Sequence, residues 1–308
     1  MNNELRKFLK ENDISCNKIT IKNGVSIITD GDDRYVIKKN KFSNLNGLYR
    51  YLESRSFDYY PRLLLESNRY NIFEYVDDID MTLDEKAKDI MHVIGLLHAK
   101  TTYYKEIDID DYKKIYEDVI SNLNYLYNYY SDMITIIDKE IYMAPSHYLL
   151  ARNINIIFSS IDVSRRLIER WLKVINEKRK VRVVTIHNNL DIDHYVRNDK
   201  SYLLSWDKSK VDLPIYDLLI FYRKYALYFD FSSLFSYYES IYPLLPEEKD
   251  LLFSLLNIPD KIEFNDSQYS MCNKIRKYMD YLYLTKDVTR ELIPGILPPK
   301  NSAKDKAD

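Results

Sequence analysis

The sequence predicts an α+β protein in two parts, a small antiparallel β lobe followed by a large, mainly helical lobe. Three observations carry this. Residues 18–40, 61–66 and 70–76 read as five short strands, with one helical pattern, 43–57, after the third. From residue 82 onward, apolar residues recur at helical spacing almost to 292. One stretch, 181–219, breaks that helical run with a strand, a polar loop and a short hairpin.

The elements follow in order. Residues 1–12, MNNELRKFLKEN, form a short amphipathic helix without the apolar centre of a signal peptide. In 18–40 the alternation is broken at Asn23-Gly24, a strong hairpin turn, and again at Asp30-Gly31-Asp32. The third strand, Arg34 to Lys39, carries Lys38 out of the apolar run Tyr35-Val36-Ile37. Ser43 or Asn44 caps the helix over 43–57, with Leu45, Leu48, Tyr49 and Leu52 on one face and Glu53 beside them. Ser67-Asn68 turns between the last two strands. Asp77-Asp78-Ile79-Asp80 is an acidic connector and the expected lobe boundary, giving a small lobe over 1–77 and a large one over 78–292.

In the large lobe, Thr82-x-x-Glu85 is a capping box, and Leu83, Ala87, Ile90, Ile94 and Leu97 mark a buried helix face. Residues 109–139 and 145–178 are long helices rich in Ile, Leu and Tyr. Tyr125 and Tyr129 share a face, which core packing explains by default. Further helices are expected at about 214–229, 231–241, 246–256 and 267–292. The tail 293–308, with three prolines and much charge, is expected to be disordered.

Composition narrows the functional classes. The chain has 308 residues and a formal net charge of −2, which gives no basic face for a nucleic-acid backbone. Two cysteines, Cys16 and Cys272, lie far apart without metal spacing, which points to a reduced, cytoplasmic protein. No apolar run approaches the ~20 residues of a membrane span. The 30 tyrosines and 5 glycines are attributed to codon bias in the source genome.

Within 181–219, Val181 to Ile186 lead into His187-Asn188-Asn189-Leu190. Tyr202-Leu203-Leu204 closes in Ser205-Trp206-Asp207, and Pro214 opens a helix that carries Asp217. This order resembles the aminoglycoside-phosphotransferase-like kinases, including their bacterial spore-coat kinase-like branch. Those proteins carry His-Gly-Asp-Leu, three residues and Asn, then Ile-Asp-Trp or Ile-Asp-Phe, then Gly-Asp-Pro-x-x-Asp-Leu. His187, Leu190, Trp206, Asp207, Asp212, Pro214, Asp217 and Leu218 match. Asn188 replaces the glycine, Asn189 the catalytic aspartate, and His194 and Ser205 the two metal-binding residues. Gly95-Leu-Leu-His98 resembles a further signature of the family.

The resemblance covers about 18–292 and implies a bilobal, protein-kinase-like fold. By it, Lys38 contacts nucleotide phosphates and pairs with Glu53, Glu74 and Val76 flank the adenine, and Asp207 is the surviving metal candidate. His187 and Asp217 brace the loop. An amide at Asn189 cannot accept a proton near neutral pH, and an imidazole at His194 suits magnesium poorly. Asp191 and Asp193 read best as a solvated acidic loop, and join Asp207 in a metal site only by an altered geometry. The resulting reading is a pseudokinase that binds a small molecule or a protein partner, with ATP and Mg²⁺ as candidate cofactors. An active small-molecule kinase with an altered metal site is the alternative. A structural, spore- or envelope-associated interaction protein that binds no nucleotide is the third reading.

Overall fold

The computed structural model describes residues 3–12, 16, 18–22, 25–31, 33–41 and 44–298. In chain order the elements begin with α1 (Asn3–Glu11), β1 (Lys18–Lys22), β2 (Val25–Asp30), β3 (Asp33–Lys39), α2 (Leu45–Ser54), β4 (Leu63–Glu66), β5 (Tyr70–Glu74) and α3 (Leu83–Thr101). They continue with β6 (Tyr103–Glu106), α4 (Ile109–Ile137), α5 (Pro145–Glu177), β7 (Lys180–Ile186), β8 (Tyr195–Arg197), β9 (Ser201–Leu203) and β10 (Lys210–Asp212). Among the described residues, α6 (Ile215–Tyr225), α7 (Phe231–Ile241), α8 (Pro246–Leu256) and α9 (Gln268–Leu292) follow. The fold is α+β, a five-stranded antiparallel sheet plus a helical body, as the sequence predicts. The Asn23-Gly24 turn, a cap by Ser43 and the tail from 299 lie outside the described residues.

The chain forms two compact units, residues 1–101 with 187–210, and residues 102–186 with 211–308. The boundary expected at 77–80 therefore falls inside the first unit.

In that unit the sheet runs β1-β2-β3-β5-β4. Alternation decides its two faces. Leu5, Phe8 and Leu9 of α1 pack on Ile28, Ile37, Tyr70 and Ile72, so Lys38, next to Ile37, points to the opposite face. Asn44 caps α2, its Oδ1 accepting from the Gly47 N–H at 2.9 Å. The Glu66 carboxylate takes the Leu45 and Asn46 N–H groups at 2.8 and 3.1 Å, so α2 is anchored to β4. α2 buries Leu45, Tyr49 and Leu52. At α3 the expected capping box forms, Thr82 N–H to Glu85 and Glu85 N–H to Thr82 Oγ1 at 3.0 and 3.3 Å. Leu83, expected on its buried face, is 58% exposed because it is the first helical residue. The β8–β9 hairpin packs on α3, and Tyr195 donates its hydroxyl to Asp89 at 2.6 Å.

The second unit is built on α5, which packs against α4, α8 and α9. β6, β7 and β10 form a small sheet in the order β10-β7-β6. β6 carries no pattern to read in advance, because its four residues are all exposed and do not alternate. Glu248 on α8 is buried against Arg182, with contacts of 2.7 and 2.6 Å. Glu247 and Asp250 pair with Lys178 and Arg170. Residues 293–298 depart from the expected disorder. Ile293, Ile296 and Leu297 are buried, and Arg166 and Arg290 hold the Ile296 and Pro298 carbonyls, each at 2.9 Å. Burial of three apolar side chains outweighs the two flanking prolines. Among the described residues, no helix is long and apolar enough to cross a membrane.

Candidate functional site

The site grows from three pieces of the first unit: the end of β3, the inner face of α2, and the segment 187–210. β3 delivers Lys38 to the inner sheet face, where its Nζ donates to Ser205 Oγ at 2.7 Å. Burial, the larger effect, lowers the pKa of Lys38, and the nearby Asp207 carboxylate pulls it part of the way back.

Ser205 stands in left-handed backbone, φ 65° and ψ 54°, and Asn188 does so as well, at φ 57°. Asn188 occupies the motif's glycine position, and asparagine is among the few residues that tolerate this conformation. The two bends face the loop segments toward each other. The Asn189 side-chain amide donates to the Ser205 carbonyl at 3.3 Å. The His194 Nδ1–H donates to the Asn189 carbonyl at 2.8 Å, and the His194 carbonyl accepts from Leu204 N–H at 2.8 Å. Three of the four substituted motif positions, Asn189, His194 and Ser205, thus join one hydrogen-bonded brace that ends at Lys38.

His187 is fully buried. Its Nε2–H donates to the Leu204 carbonyl at 2.8 Å, and its ring meets the edge of Trp206 at 4.8 Å. Trp206 donates to the Leu203 carbonyl at 2.7 Å and lies edge-on to Tyr49, Phe57 and Tyr60. Asp217 lies in the second unit, fully buried in the first turn of α6, where its charge helps raise the pKa of Tyr238.

One expectation needs correction. Among the described residues no ion pair joins Lys38 to Glu53. Glu53 follows Leu52 on α2 and is turned to solvent, and its charge is felt by Tyr60 instead. The α2 residue facing the site is Tyr49, stacked on Tyr60 at 4.1 Å. Burial first, then Tyr60 and Asp207, push its hydroxyl pKa up. Nor do Asp191, Asp193 and Asp207 gather. Among the described residues no group of three or more metal-ligating side chains stands together. Asp191 accepts from the Asp193 N–H at 3.1 Å, and Asp193 is exposed.

Glu74 and Val76 lie at and just beyond the end of β5, both half-buried. Glu74 Oε1 accepts from the Arg62 N–H at 2.7 Å. Asn71, overlooked in the sequence, is the cross-strand partner of Lys38. It is 4% exposed, and its Oδ1 meets no donor among the described residues.

This arrangement, a strand lysine beneath a loop with His187, Trp206 and Asp207, belongs to a protein-kinase-like fold of the aminoglycoside phosphotransferase type. An aminoglycoside phosphotransferase from Alicyclobacillus acidocaldarius superposes with a TM-score of 0.65 at 11% identity, covering 91% of this chain and 93% of that one. A spectinomycin phosphotransferase solved with ADP and spectinomycin gives 0.54 at 12%, covering 93% and 98%. No family model matches the chain, and no curated protein sequence matches it. Identities this low carry the fold and nothing finer.

The residues present fit the two expected cofactors differently. A nucleotide phosphate suits the half-buried Lys38 ammonium, with the Asn71 amide across the strand pair able to turn its N–H groups toward an oxygen. Mg²⁺ asks for several oxygen ligands near octahedral geometry. Here one ligand position is a hydroxyl already held by an ammonium, and the other is an imidazole bonded to a carbonyl. Mg²⁺ does not fit.

Proposed function

We propose that this chain is a pseudokinase, a nucleotide-binding module on a phosphotransferase fold that does not transfer phosphoryl groups. It works in the cytoplasm through a small-molecule or protein partner. The carrying observation is the brace from His194 through Asn189 and Ser205 to Lys38. Phosphoryl transfer needs a group that accepts or places the acceptor's proton, and charge stabilisation on the phosphates. The Asn189 side chain donates inward to its own loop, so it supplies no base, a loss of roughly 10²–10⁴ in rate. Lys38 holds the phosphates, and the Glu74–Val76 segment takes the adenine edge. His187 keeps the loop in shape through its bond to the Leu204 carbonyl, and Asp217 serves the start of α6.

The test is incubation of the full chain with labelled ATP, Mg²⁺ or Mn²⁺, and a broad extract of small molecules and proteins. The expected result is saturable nucleotide binding without label transfer. Turnover at kinase-like rates that Asp207→Ala abolishes would overturn the reading in favour of an active kinase.

A further inference from the structure

We infer that the nucleotide is bound here without a divalent cation, the Lys38 ammonium taking the electrostatic place of the metal ion. The inference rests on the nucleotide reading and adds its ionic requirement. Its basis is the disagreement between this donor set and magnesium.

Three observations on this face point the same way. First, Lys38 Nζ lies 2.7 Å from Ser205 Oγ, the atom at a metal-binding position of the motif. A dication at that oxygen would stand within a few ångströms of an ammonium, in surroundings that screen charge poorly. Second, the lysine is incompletely balanced. Glu53 is turned away, and Asp207 is the carboxylate whose charge reaches it. Tyr49, the α2 side chain facing the site, is a neutral phenol. A half-buried cation with one carboxylate near it favours an incoming anion. Third, Asn71 lies directly across the strand pair from Lys38, buried, with an acceptor oxygen that no described group satisfies. Turned over about its last bond, the same amide offers N–H donors to a phosphate oxygen. Ammonium, hydroxyl and amide together form a neutral-to-cationic cradle that needs no bridging ion.

The test is calorimetric titration of the full chain with ADP, once in excess EDTA and once in Mg²⁺. The dissociation constants are expected to agree within about threefold. Lys38→Met is expected to weaken binding in EDTA by about tenfold or more, as loss of a charged hydrogen-bond partner does. Asn71→Ala gives a second, independent loss, and melting curves of both variants check that they fold. Ser205→Asp should install the missing requirement. Aspartate tolerates the left-handed backbone at this position. The new carboxylate neutralises Lys38, so ADP binding should fall by about tenfold in EDTA and recover in Mg²⁺. Wild-type binding at least about tenfold tighter with Mg²⁺ would overturn the inference while leaving the nucleotide reading intact. Absence of binding in both buffers would overturn both.

Discussion

Raising the pH should unfold this protein through its buried tyrosines. Tyr49, Tyr130, Tyr195, Tyr222 and Tyr238 are each less than a tenth exposed. Burial raises the pKa of all five, that of Tyr195 to about 12. In the unfolded chain a tyrosine ionises near pH 10. A pKa raised on folding contributes stability that is complete below about pH 10 and lost as pH climbs toward the folded value. Each such group then costs about 1.4 kcal/mol per pH unit above 10. By about pH 11 the five together remove about 7 kcal/mol, comparable with the ~5–15 kcal/mol that holds a typical domain. Lys38 works in the opposite direction, but it is one group against five. The assay is denaturant unfolding at intervals from about pH 8 to 11, followed by circular dichroism, with tyrosinate absorbance recorded on the native and unfolded chain. A set of the 30 tyrosines should ionise only on unfolding. Tyr238→Phe should flatten the alkaline loss by one share. Stability flat to about pH 11, or all tyrosines titrating near pH 10 in the folded protein, would refute the reasoning.

Three other outcomes are expected. Glu248→Gln should cost about 3–5 kcal/mol by stranding the buried Arg182, whereas Glu239→Gln, at the more exposed Lys249 pair, should cost less than about 1 kcal/mol; equal losses in denaturant melts would contradict this. Asp217→Ala should lower stability by about 1–3 kcal/mol, since it removes a fully buried carboxylate from the first turn of α6, and an unchanged melting temperature would argue against a bonding role. In double-mutant cycles, Lys38 should couple to Ser205 by about 1 kcal/mol and to Glu53 by nothing beyond the ~0.3–0.5 kcal/mol of ordinary non-additivity.

The fold was legible because alternation and helical spacing are local signals. β1 to β5 and the helices from α3 to α9 emerge where the periodicities change, and Thr82 and Glu85 announce the start of α3. The motif order around His187 placed the site by resemblance. What the sequence did not carry was direction in space. The resemblance implied that Lys38 meets Glu53, but the caps at Asn44 and Glu66 set the rotation of α2, and that rotation presents Tyr49. Asp191, Asp193 and Asp207 are close in sequence and do not cluster, because each serves a different local turn or field. Asn71 was invisible because its neighbour Lys38 lies on another strand. β6 was missed because an exposed four-residue edge has no pattern to read.

The first unit is discontinuous in the chain, and this orders events in time. A ribosome that has finished residue 101 must still make the 85 residues from 102 to 186 before the segment 187–210 appears. At ~5–20 residues per second this takes about 4–17 s. Throughout that interval the aromatic face made by Tyr49, Phe57 and Tyr60 lacks Trp206, whose ring edge will close it. The N-terminal sheet can already hold α1 on its other face. Vectorial synthesis therefore leaves a half-finished unit with one sealed side and one open aromatic side. A nascent chain arrested between residues 101 and 186 should be the species that chaperones and proteases recognise, and one arrested well beyond residue 210 should escape them.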